Sequence, residues 1–151
     1  MFETMLFLHL AGLVIWFGSL MGMTFVILFS NRQIESNETR LFLRKTIRTL
    51  GWIAHPTSIL VLVSGIFMVI EMNFGDTAKP LWLIYMERGG GVVILLGIAI
   101  IALMGSRMVK RLGSVGNNQS ALSLRGGTYL TSLLVIIFAI LSVILVVSFR
   151  L

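Results

Sequence analysis

The chain has 151 residues, 57% of them hydrophobic and 12% charged, with a net charge of +6 and no cysteine. A soluble domain of this size cannot hide so much apolar surface, because folding leaves a predictable share of it facing solvent. Disulfides and thiolate metal ligation are excluded, and the basic excess follows topology rather than forming a nucleic-acid patch, so no nucleic-acid partner is expected.

Four apolar runs, roughly 4–29, 51–72, 89–106 and 128–149, each reach or approach the ~20 residues that cross ~30 Å of hydrocarbon. Lipid admits only helices or closed barrels. The sequence therefore predicts a single domain over 1–151, an all-α integral membrane protein folded as a four-transmembrane-helix antiparallel bundle. The first run is too long and too glycine-interrupted for a signal peptide, and it lacks a basic start and a small-residue cleavage site, so it is expected to remain as a helix.

That first helix carries His9 in Leu8-His9-Leu10-Ala11-Gly12-Leu13-Val14-Ile15-Trp16. An ionisable side chain in hydrocarbon is expensive and marks a functional site by default. Gly12 at i+3 and Trp16 at i+7 share its helical face, and a small residue beside a ligand leaves room for a porphyrin edge. His9 is thus a candidate axial haem ligand, since neutral imidazole ligates iron and bundle cores hold haem. A histidine hydrogen-bonded across helices is the plain alternative. Further along the helix, Gly18-x-x-x-Gly22 is a candidate helix-packing motif.

The segment from Asn31 to Leu50 reads as a helix running into the second span, with Arg40, Arg44 and Arg48 in one stripe suited to anionic lipid. His55 follows near the start of that span, next to Pro56, whose missing N–H frees a carbonyl that His55 or Ser58 helps satisfy. His55 is a weaker metal candidate than His9. The two histidines are expected ~15–20 Å apart along the membrane normal, too far to clamp one iron within one chain.

Pro80 suits a first helical turn, so the third span is read as about 80–109, with Trp82 and Tyr85 in the interfacial aromatic belt. Met86, Glu87 and Arg88 then lie ~10 Å into the helix, the depth of His9. Met86 is a candidate thioether ligand, Glu87 an acceptor that fixes the tautomer of His9, and Arg88 a partner for a propionate. Neighbours fan out by ~100° on a helix, so the three cannot all face one site. Gly89-Gly90-Gly91 either admits a flat ligand or loosens the helix. The stretch from Gly113 to Gly127 reads as a flexible linker before the last span.

Nine basic residues fall between spans one and two or three and four, against three on the other side. The positive-inside rule then gives an N-out/C-out arrangement, with loops 30–50 and 107–127 cytoplasmic. Met21 and Met23 with His9 raise Cu(I) transport as an alternative, because thioethers are soft ligands.

The string Leu8-His9 … Ile15-Trp16-Phe17-Gly18-Ser19-Leu20 resembles the first helix of small membrane proteins related to the CopD copper-resistance domain and to HemJ. The resemblance runs on through the basic loop, His55-Pro56 … Ser64-Gly65 and Pro80-Leu81-Trp82. It implies four helices in the bacterial cytoplasmic membrane, haem b or copper, and protoporphyrinogen oxidase chemistry, with His9 at the position of the helix-one histidine. HemJ-type proteins carry a lysine shortly after the tryptophan opening helix three, where this chain has Ile84, Tyr85, Met86 and Glu87. Their Pro-Arg pair after helix one is replaced by Met23-Thr24-Phe25. The leading expectation is a b-type haem protein with an electron-transfer role, a quinone or a respiratory-type membrane complex as partner, and Met86 or a second chain of a homodimer supplying the other ligand. The other readings are copper transport, an accessory subunit and the oxidase itself.

Overall fold

A computed structural model of the chain describes residues 1–30, 36–72, 81–113 and 119–149, with backbone only at Trp82 and 119–126. Pro80, the linker centre at 114–118 and the side chains of Trp82 and Arg125 lie outside the described residues.

Four long helices make up the described chain: α1 Phe2–Ser30, α2 Asn37–Met72, α3 81–113 and α4 Gln119–Phe149. All four are long and apolar enough to cross a membrane. The expected spans 4–29, 51–72 and 128–149 fall inside these helices, and the third, about 80–109, does so from residue 81. As read, α2 includes the basic segment from Asn37 on, and the difference is that α4 starts at Gln119, inside the stretch read as linker. α2 begins where Ser36 Oγ accepts the Thr39 N–H at 3.2 Å, an N-cap that satisfies one orphan donor. Pro56 does not break it. Thr57 Oγ1 donates to the Ile53 carbonyl at 2.9 Å and Ser58 Oγ to that of His55 at 2.7 Å, so the hydroxyls, and not the His55 ring, serve the carbonyls around the proline.

α3 is continuous but not uniform. Tyr85–Gly90 and Ile101–Gly105 are π-helical turns joined to α-helix by residues with ordinary right-handed backbone angles. Such wide turns rotate the side chains that follow and recur at functional sites. The Gly89-Gly90-Gly91 run therefore does not interrupt the helix.

Between apolar helices in lipid there is little hydrophobic gain, so close packing at small residues and hydrogen bonds must hold the bundle. Gly12 lets α1 approach α2, where a Cβ would stand 2.9 Å from Val61 Cγ2, and Gly22 sits 3.2 Å from Leu50 by the same measure. Gly18 meets nothing within 4 Å, so only one end of the expected packing motif packs inside the chain. The pairings of 9 with 61–64, 12 with 57–61 and 22 with 50 set α1 antiparallel to α2. On the other side, Gly90 meets Val143 and Gly105 meets Tyr129, which sets α3 antiparallel to α4. Tyr129 Oη donates to Met23 Sδ at 3.4 Å in the core. The buried hydroxyls of Ser19, Thr24 and Ser64 bond carbonyls one turn back, so they cost little in an apolar interior. Large apolar side chains such as Phe7, Trp52, Ile70 and Phe138 point outward, a surface too apolar for water.

Trp16 joins α1 to α3 at Gly97, where a Cβ would come 2.7 Å from Cζ2 of a ring only 1% exposed. A Gly97→Ala substitution should overpack this contact and cost ~1–3 kcal/mol, read as a lower unfolding midpoint in detergent. Gly91→Ala, which meets nothing within 4 Å, should leave the midpoint near that of the parent.

Candidate functional site

His9 lies on α1 facing α2. Its Nδ1 is 2.9 Å from the Val61 carbonyl oxygen and 3.2 Å from Ser64 Oγ. A carbonyl can only accept, so Nδ1 carries the proton and donates. Ser64 spends its own proton on the Leu60 carbonyl at 2.6 Å, leaving its oxygen to accept a second, longer limb from Nδ1. In the neutral ring the lone pair is then on Nε2, which no described group engages. Gly65 makes this possible, because a Cβ there would press to 3.2 Å from His9 Cε1.

The ring lines a partly open cavity of about 210 Å³ bounded by all four helices. At the ~10–15 Å³ of such volume that one water needs, the space suits on the order of fifteen waters, the scale of a ring system and not of a lone ion. Its walls are nearly all aliphatic, among them Leu13, Val69, Ile94 and Ile140. Water would find few partners there, which favours an apolar occupant. Polar atoms enter at three places: His9, Trp16, and the pair Met86 and Glu87 on the π-turn of α3. Gly90 and Gly91 of the same helix also form wall, and a Cβ at Gly91 would meet nothing within 4 Å.

Trp16 Nε1 is the buried side-chain nitrogen or oxygen without a hydrogen-bond partner among the described residues. An unmet buried donor costs ~1–3 kcal/mol. The side chains that line the cavity thus include an imidazole, an indole, a thioether and a carboxylate.

Of the expected site residues, His9, Trp16, Met86 and Glu87 share this cavity, and Gly12, Arg88 and His55 do not line it. Gly12 was expected to leave room for a ligand edge. Its open side is instead filled by Val61, Leu60 and the Thr57 carbonyl. Arg88 is exposed and does not line this cavity, so the three neighbours do not all face one site, as expected. Glu87 was expected to orient His9, and the Val61 carbonyl takes that task. His55 lies ~9–15 Å along α2 from the Val61–Gly65 level of His9, somewhat nearer than expected and still too far to share one ion. Met23 lies ~21 Å along α1 from His9 and is occupied by Tyr129, so the expected copper set is not assembled at one level. Among the described residues no three histidines, carboxylates or thiols cluster as a metal site.

Val61, Ser64 and Gly65 were missed as site residues. The signal was available in part: a hydroxyl beside a glycine in mid-span marks a place where a neighbouring polar side chain can come close.

No family model, curated protein or solved structure matches this chain.

The tautomer can be read directly. Ring ¹⁵N spectra of histidine-labelled protein without added ligand should show His9 protonated at Nδ1 and bare at Nε2, and Gly65→Val should disturb that signal while leaving His55 unchanged. A His9 ring protonated at Nε2 alone would contradict the geometry.

Proposed function

We propose that this chain is an integral membrane haem protein of the b type with a redox role, in which His9 Nε2 is an axial ligand. The observation that carries the reading is the bond from Nδ1 to the Val61 carbonyl. Metal-bound histidines characteristically donate their second ring N–H to a carbonyl or carboxylate, which fixes the ring and makes the ligating nitrogen more basic.

The residues present fit the group. The donor is a neutral imidazole in the correct tautomer, the cavity is ring-sized and apolar, Gly90 and Gly91 leave a wall without side chains, and Trp16 Nε1 lacks an acceptor. A bound haem would supply a one-electron couple. The chain's own contribution is to hold the imidazole, to exclude water with aliphatic walls, and thereby to set a low dielectric around the site. Met86 lines the same cavity from α3, and we take its thioether as the candidate for the other ligand within one chain. The His9 ring is turned onto its own α2, which favours this arrangement over paired histidines across a dimer.

The same reading sets the four helices across a bilayer with both termini outside and the basic segments in the cytoplasm, following the distribution of positive charge. The site then lies in the outer half of the membrane. The likeness of the first helix to HemJ-type proteins agrees with haem, and its likeness to the CopD domain keeps copper as the alternative. Electron exchange with a membrane quinone or a respiratory-type complex is the role that suits such a depth.

Oxidised and dithionite-reduced absorption spectra of the gently purified protein test this. The parent and His55→Ala should show a sharp reduced α-band with about one haem per chain, and His9→Ala should lose it. A colourless parent from haem-replete cells would sink the reading.

A further inference from the structure

The far end of the bundle gathers cations from two separate stretches of sequence. α2 has 36 residues, ~54 Å of helix against ~30 Å of hydrocarbon, so its first turns stand beyond the apolar span. There Leu43 and Ile47 share the buried core with Met108 and Leu112 of α3. This apolar seam docks the two overhangs and brings Arg44, Lys45 and Arg48 to the same end as Arg107 and Lys110. Glu38 is the one carboxylate on these overhangs among the described residues.

Arg44 differs from an ordinary surface cation. Its guanidinium lies across Gly113 at the end of α3, where a Cβ would stand 2.8 Å from Cζ, 3.0 Å from Nη1 and 3.1 Å from Nη2. The glycine leaves the place that the planar group occupies, so the fork packs against the end of α3. A seated guanidinium is suited to two oxygens of one phosphate, and less ordering entropy is lost on binding. Exposed charges at Arg48 and Lys110 flank it in sequence and across the seam.

We propose that this end holds the phosphate headgroup of an anionic phospholipid, with Arg44 as the fixed fork. Depth selects lipid over a soluble anion. Arg48 and Arg44 precede the apolar run that starts at Gly51 by ~5 and ~10 Å, so Arg48 stands within a headgroup layer ~5–8 Å thick and Arg44 at its water-side edge. The inference does not depend on the haem reading.

Native mass spectrometry of the full chain with equal phosphatidylglycerol and phosphatidylcholine tests it. Phosphatidylglycerol should be retained preferentially, and inorganic phosphate should not displace it. Arg44→Lys, which keeps the charge, and Gly113→Ala, which changes no charge and displaces the guanidinium, should each lower the preference by about fivefold, the scale of one interfacial cation. Arg48→Lys should leave it intact. If Arg44→Lys leaves the preference unchanged, the attraction is diffuse and the proposal fails, whether or not Gly113→Ala folds. Displacement by inorganic phosphate would overturn it in favour of a free-anion site.

Discussion

The hydrogen bond from His9 to the Val61 carbonyl joins α1 to α2 where the surroundings are mostly aliphatic and Ser64 Oγ is the other polar atom within reach of Nδ1. Its effects reach beyond the pair of helices. It requires close approach, which Gly12 and Gly65 permit by lacking side chains on either side of the contact. It also assigns the proton to Nδ1, because a carbonyl has none to give. The reactive nitrogen of the ring is thereby decided by a backbone atom six residues beyond His55 on another helix.

Other features of the site follow from the same geometry. With one edge of the imidazole on α2, the ring stands at the wall of the cavity that α3 and α4 close. The π-turn at Tyr85–Gly90 carries Met86, Glu87 and Gly90, which stand on that wall. Trp16 forms another part of the wall and is locked by Gly97, at the cost of a donor left unpaired. His9 and the Trp16 ring thus stand on the wall of one apolar volume.

The four helices were legible because each is a run long and apolar enough to cross a membrane, and period or propensity hardly enters. His9 was legible for the same reason, as a costly group in a cheap environment. The partners of His9 were not, since a backbone carbonyl leaves no mark in the sequence and Ser64 looks like any mid-span hydroxyl. Gly12 illustrates the limit: spacing correctly put it near the histidine's face, but whether the empty side holds a ligand or Val61 depends on how two helices approach. Angular spacing said that Met86, Glu87 and Arg88 could not all face one site but not which of them would turn away, and the π-turn had no sequence signal beyond three glycines.

The measurement that goes most directly to the role of His9 is chemical complementation of its side chain. His9→Gly leaves a hole of imidazole size beside Gly65 and the Val61 carbonyl, while the rest of the cavity is untouched. If Nε2 is the axial ligand, this variant purifies without haem, and imidazole added during haem loading restores the reduced α-band. Full haem binding by His9→Gly in the absence of imidazole would contradict the account.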